Sequence, residues 1–430
     1  MPEYSIKAAN SDLIKDSISY LTGSASSAVL TLISITFAIS KMGLSAYGEA
    51  VSVLAFYTAI FFICNFEPWQ SVIKFNSNLS GGIDFQVIKL SVLIEVFAAA
   101  LTFGVGYLAV SILAERGLFS LSEGNKHSLI FVFCSALLFM KGTAIGVLRV
   151  YRRVIEMNLI IFAASVSRLM MLLLFFDGSA ESLFILWVIA DLIHSLLLNI
   201  GAFRLMIADN KSSGREKNQE LSPSFRDFSL FTFKMWLIGR AKGAFANFGV
   251  LVLSQVTSST NVALFSLYQR GLGFVTKFTG SFIRALYPIQ KELKERHQLD
   301  YMSFTRQGIE RLDYICMRTG GLTALCLVCI YVMFPNAYEN VYFFIAVVGV
   351  CTGQIFVWMS PYQTTLVTLD YETQVTVFLC IHSAFSLIAL FFSSALFDVQ
   401  GAVLAHMMVF LIIALWMRFK TMSGLENLTS

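Results

Sequence analysis

The chain has 430 residues, 57% of them hydrophobic and only 13% charged, with 40 phenylalanines and a net charge of +4. A soluble domain carries about a quarter charged residues, so this chain, with a mean hydropathy of +0.71, cannot cover its own surface in water. That excludes a soluble enzyme and gives no basic footprint for a nucleic acid; repeated apolar runs of roughly 18 or more residues mark membrane spans. Lipid offers no hydrogen bonds to the backbone, so those spans must be helices. The alternating ten-residue segments of a membrane barrel do not occur.

In chain order, residues 1–16 are polar and lack a basic stretch followed by a small-residue cleavage site. They read as a retained cytoplasmic N-terminus. About twelve spans follow, near 17–40, 46–66, 88–113, 128–148, 156–176 and 182–204, then near 230–255, 261–287, 314–334, 341–360, 375–397 and 399–419. The expected architecture is therefore an all-α polytopic membrane protein. It has a six-helix bundle over 17–204, a cytoplasmic linker over 205–227, a second six-helix bundle over 228–419 and a cytoplasmic tail over 420–430. Aligning the first and seventh spans places Gly23 on Gly239 and Ala25 on Ala241, which points to a pseudo-symmetric repeat.

With the N-terminus inside, 21 of the 31 basic residues fall on the cytoplasmic side and only Lys41, Arg116 and Lys126 on the other. That bias orients the chain with both termini cytoplasmic. The other seven cations, Lys141, Arg168, Lys234, Arg240, Lys242, Arg270 and Lys277, lie within spans. A charge at the bilayer centre costs about 2.5–3.5 kcal/mol even on the lenient insertion scale. The in-span acids are only Glu95 and Asp191, so full pairing is impossible; Lys234 can snorkel to the interface, and the rest read as lining a polar cavity.

Arg270, Lys277 and Arg284 recur every seven residues and form one helical stripe. The stripe can pair across helices with Glu95, Asp191 and lipid phosphates. Alternatively it is a track for an anion entering from the cytoplasm, the reading the spacing favours. Arg240, within Gly-Arg-Ala-Lys-Gly at 239–243, is expected to face the cavity; Gly239 and Gly243 form a small-xxx-small face. Lys141 and Arg168 complete the candidate anion-binding set. Asp191 and His194 share a face at i, i+3 and form either a proton relay or a structural pair with Arg168. Glu95 is a further candidate for coupling.

Other features carry no chemistry. The seven cysteines, with Cys326 and Cys329 as a C-x-x-C, read as apolar filler with no metal role. His382 and His406 are isolated in apolar helices. No phosphate-binding glycine loop is present, so no ATP motor and no cofactor are implied, and the six prolines sit outside the spans or near their ends.

Several strings resemble a known family. KMGLSAYGEAVSVLAF at 41–56 is similar to a "Leu-Gly, then Tyr-Gly" turn. GVLRVYRRV at 146–154 resembles a recurrent "Leu-Arg-hydrophobic, then Arg-Phe" segment, and NVALFSLYQRGLGFV at 261–275 is similar to a helix of the second half. The resemblance is to the O-antigen and polysaccharide flippases of the multidrug/oligosaccharidyl-lipid/polysaccharide exporter superfamily. It implies two six-helix bundles facing a central cavity that opens alternately to each side, no enzyme activity and a location in the bacterial inner membrane. The implied cargo is an undecaprenyl-pyrophosphate-linked oligosaccharide, with Trp236, Asn247 and Gln255 among its candidate sugar contacts, and the implied partners are membrane lipids, a polysaccharide polymerase and a chain-length regulator. A multidrug exporter of the same superfamily and a membrane polymerase or ligase are the alternatives.

Overall fold

The computed structural model describes residues 26–76, 83–115, 141–151, 153–212, 223–273, 340–369 and 371–427, with positions 275, 290, 301, 303–311, 313, 314 and 318. Among them the chain is all helical. Each expected span contains described residues in helix, for 314–334 at Tyr314 and Arg318 alone, which agrees with hydropathy as the signal and the absence of water as the cause. Gly23, Ala25, Lys277, Arg284, Cys326 and Cys329 lie outside the described residues.

The chain forms two compact units, one spanning Val29–Gly243 and the other holding the described residues from Ala244 onward with 26–28. The first contains most of α1 (Ser26–Met42), then α2 (Leu44–Cys64), α3 (Trp69–Asn76), α4 (Phe85–Glu115), α5 (Gly142–Val150), α6 (Val154–Phe175) and α7 (Ala180–Ser212). Helix α8 (Phe225–Leu253) begins in the first unit and ends in the second. The division thus falls inside α8, C-terminal to the polar stretch 205–227 that the sequence suggests as a linker. The second unit continues with α9 (259–273) and α10 (Val341–Thr368). The residues Glu372–Asn427 form α11 (372–396) and α12 (399–427), separated by non-helical Phe397 and Asp398.

The junctions follow from local chemistry. Gly43 alone separates α1 from α2, with φ of 82°, a left-handed conformation that glycine adopts without a Cβ penalty. Helix α7 is capped by Ser179, whose Oγ accepts from the Ser182 amide, and Asp177 Oδ1 braces this cap by accepting from the Ser179 amide (2.8 Å) and the Ser182 hydroxyl (2.5 Å). These bonds hold the exposed Asp177 carboxyl down at about 2, the Ser182 hydroxyl contributing most.

Two features were not legible from proline placement. Helix α2 stops at Cys64, Glu67 takes a left-handed φ of 41°, and the chain resumes as α3 after Pro68, so the apolar run Leu44–Asn76 is one span with a gap in it. Pro361 lies inside α10 and does not end it, because a helix packed on its neighbours tolerates a missing N–H in a membrane setting.

Leu44–Asn76, Phe85–Ile112, Ile155–Phe175, Ala180–Ala208, Val341–Gln363 and Thr373–Glu426 are long and apolar enough to cross a membrane. They expose Phe97, Leu108, Leu174, Phe385 and Phe392, side chains that belong against lipid. The chain is a multi-pass membrane protein. Lipid tails are as apolar as leucine, so interior packing and polar pairs hold such helices together more than hydrophobic burial does. In the first unit Val72, Val87, Val147, Leu148, Leu198 and Phe228 form the buried core. Ser71 meets Thr232 at 2.6 Å and Ser91 meets Thr143 at 2.7 Å. In the second unit Tyr301, Met359, Tyr362, Leu366, Ile413 and Met417 form the core.

Candidate functional site

The charged centre of the first unit is assembled from three helices. Trp187, Asp191 and His194 recur at i, i+4 and i+7 on α7 and so share one face. Arg168 comes from α6 and Lys141 from the residue that caps α5. Arg168 Nη2 lies 3.0 Å and Lys141 Nζ 3.8 Å from the same oxygen, Asp191 Oδ1. The guanidinium carbon of Arg168 is 6.0 Å from the Trp187 ring centre. Among the described residues, Arg168 Nε and His194 Nε2 are buried with no hydrogen-bond partner. Tyr57 of α2 lies within the electrostatic reach of Asp191, and Glu67 of the α2–α3 break within that of Lys141. Two cations on one carboxylate leave the trio with a net positive charge.

Lys141 is positioned by the two residues that follow it. Glu95, buried on α4, accepts from the Gly142 amide (2.5 Å) and the Thr143 amide (3.1 Å) through Oε1, and from the Thr143 hydroxyl (2.5 Å) through Oε2. Thr143 spends its single hydroxyl proton on Glu95, so Ser91 must donate to Thr143 in their pair. A carboxylate from a neighbouring helix thereby supplies the N-terminal cap that α5 lacks in its own sequence, as the dipole favours. Gly142 makes this approach possible: a Cβ there would come within 2.9 Å of both Glu95 Oε1 and Pro68 Cδ. A Cβ at Gly146 would meet Val72 Cβ at 2.7 Å. The Gly-x-x-x-Gly of α5 is thus the seat for α3, a signal present in the sequence and unused in its reading.

The other sequence candidates sit elsewhere. Arg240 of α8 donates through Nη2 to the Asn65 carbonyl and lies 4.2 Å from the Phe62 ring centre. Trp236, one turn earlier, donates to the Ile63 carbonyl at 3.0 Å. Both side chains close the C-terminal end of α2, where carbonyls lack helical partners and the dipole attracts a cation. Arg270 stands on α9 in the second unit. There Leu264, Leu267, Tyr268, Gly271 and Leu272 line a cleft of about 600 Å³ between α9 and α10. At about 100° per residue, position 270 is on the order of 130° away from that face. Lys277 and Arg284 lie outside the described residues, so the structure describes the seven-residue stripe only at Arg270. His406 stacks on Phe245 at 4.0 Å between ring centres and pairs with the Tyr268 hydroxyl at 2.9 Å, while His382 pairs with Ser386. Among the described residues no group of three or more His, Cys, Asp or Glu could hold a metal ion.

No protein-family model matches the chain, and no curated protein matches it. Solved structures do. The chain is similar to a MATE transporter from Vibrio cholerae, at 14% identity over 98% of both chains with a TM-score of 0.57. It is similar to a multidrug resistance MATE family transporter of the MOP superfamily in its inward-facing conformation, at 13% identity over 96% of this chain and 100% of that one, TM-score 0.59. It is also similar to a MOP superfamily transporter from Pyrococcus furiosus, for which a reversed polarity of the binding pocket suggests a different function. That match has 12% identity over 98% of this chain and 97% of the other, TM-score 0.59. At these identities the likeness establishes a shared fold.

Proposed function

We propose that this protein is a flippase of the bacterial inner membrane. In this reading it moves an oligosaccharide linked to undecaprenyl pyrophosphate from the cytoplasmic to the outer leaflet by alternating access, with both termini cytoplasmic and no catalytic step. The carrying observation is the convergence of Lys141 and Arg168 on the single carboxylate of Asp191 inside an apolar helical bundle. Excess positive charge there is costly unless an anion comes to it, and a pyrophosphate suits a guanidinium and an ammonium together. The lipid tail of such a cargo stays in the bilayer. Moving one negative charge out of a cell that is negative inside gains about 2.3 kcal/mol per 100 mV, which supplies a drive without a nucleotide. Arg240, Arg270, Lys277 and Arg284 are the further residues proposed to contact the anion. A polymerase and a chain-length regulator are the proposed partners.

A multidrug exporter is the second reading, favoured by the multidrug transporters that share this fold. Reconstitution separates the two. Proteoliposomes should translocate a pyrophosphate-linked oligosaccharide faster when the receiving side is made positive and should leave cationic dyes in place. Dye transport without glycan translocation would favour the exporter.

A further inference from the structure

The contact between Arg168 and Asp191 is incomplete in an informative way. A guanidinium and a carboxylate that form a permanent lock usually meet as a fork, two nitrogens on two oxygens. Here the contact runs from Nη2 to Oδ1 at 3.0 Å, and Lys141 shares that same oxygen at 3.8 Å. Among the described residues, Arg168 Nε is buried without an acceptor, as is His194 Nε2 one turn along α7. The three charged side chains nevertheless remain reachable, at 25% exposure for Arg168, 26% for Lys141 and 40% for Asp191. A tetrahedral oxyanion offers what the carboxylate does not deliver: several oxygens at once, enough for Nε and Nη2 of Arg168 together and for Lys141 beside them.

We propose that Asp191 is an exchangeable counter-ion, which a phosphate-type anion displaces from Arg168 and Lys141 and which returns when that anion leaves. The proposal rests on the anionic-cargo reading of the same site and gives it a release step. While the site is empty, the carboxylate keeps the two cations from standing uncompensated. When cargo arrives, apparent affinity is lowered by the fraction of time the carboxylate holds the site, so the anion binds without being trapped. Glu95 does not compete for this role, because its oxygens are taken by Gly142 and Thr143. Glu67 and Tyr57, the other titratable groups facing the cluster from the α2 side, add at most one further charge, that of the Glu67 carboxylate.

The test uses the full-length protein in nanodiscs of neutral lipid, titrated with inorganic pyrophosphate by calorimetry. Asp191→Asn should bind at least threefold more tightly than the unmodified protein, and Arg168→Gln and Lys141→Gln at least tenfold more weakly. Unchanged or weaker binding by Asp191→Asn overturns the proposal. Asp191→Ser replaces it if the asparagine variant does not fold; if neither folds, Asp191 is a structural brace and the proposal fails. Repeating the titration with farnesyl pyrophosphate separates the sources. A gain confined to the lipid-borne ligand assigns the site to a head group entering from the bilayer, a gain with both ligands assigns it to any accessible pyrophosphate, and a gain with neither overturns it. Tighter binding by Asp191→Asn without glycan translocation would sink the flippase reading and leave the exchange standing. Translocation with unchanged binding would do the reverse.

Discussion

Each unit of this protein contains an aspartate that meets an arginine, and the two pairs are built in opposite ways. In the second unit Asp313 is saturated: Oδ1 accepts from Trp358 Nε1 at 2.7 Å and from the Tyr362 hydroxyl at 2.5 Å, and Oδ2 receives Arg418 through Nη2 at 3.2 Å and Nε at 3.4 Å. In the first unit Asp191 shares one oxygen between two cations and is more than twice as exposed, 40% against 16%. A satisfied network rigidifies a fold, whereas a half-satisfied charged one holds unspent binding capacity. The comparison teaches that the presence of a salt bridge says little; what its remaining donors do separates a lock from a site.

The largest effect should come from reversing the charge at the open pair. Arg168→Glu sets two carboxylates side by side near Lys141, and breaking a pair of this kind costs about 3–5 kcal/mol where it is fully buried, less here because both groups are partly exposed. On the proposed flippase reading glycan translocation should disappear, and an unaltered rate in proteoliposomes would erase the distinction between the two aspartates. Next in size is the support beneath Lys141. Glu95→Ala leaves the Gly142 amide, the Thr143 amide and the Thr143 hydroxyl without their acceptor, at about 1–3 kcal/mol for each buried group left unsatisfied. Thermal unfolding in detergent should show the loss, and Glu95→Gln, which keeps one acceptor oxygen, should show a smaller one.

A direct contrast comes from the matched pair of amide variants. Asp313→Asn weakens a four-donor lock and should lower the melting temperature by several degrees, since about 1 kcal/mol shifts a domain of 150–250 residues by about 2–4 °C. Asp191→Asn should lower it less while changing pyrophosphate binding more. Equal melting shifts would remove the argument for treating the two pairs differently. The smallest effect concerns Asp177. Its carboxyl is held at about 2 by Ser182 and Ser179, below the ordinary aspartate value of about 3.9. The stabilisation of α7 is therefore fully present above about pH 4 and is lost as pH falls through about 2. Asp177→Asn should flatten the acid limb of a stability profile and leave the neutral region unchanged.

Much of the fold was legible in the sequence, because in lipid the constraint acts locally. Each apolar run must close its own backbone hydrogen bonds, so hydropathy alone located most of the described helices, the turn within 41–45 that the structure narrows to Gly43, and the break beside Asp398. The charge inventory was equally plain: too few acids for the in-span cations, with Arg168 and Asp191 a foreseeable pair. What the sequence could not assign was the partner of each group. Glu95 read as a coupling acid because it is charged and within a span; only packing shows that it faces the bare N-terminus of α5. Arg240 read as a cavity cation, and only the α2–α3 break supplies the carbonyl it holds. Pro68 gave no sign of that break, since a proline near a helix end is compatible with either outcome. Helix existence depends on residues within a few turns, whereas partnership depends on how helices far apart in sequence rotate and approach. Here a Gly142 or Gly146 lacking a side chain decides which groups come within reach.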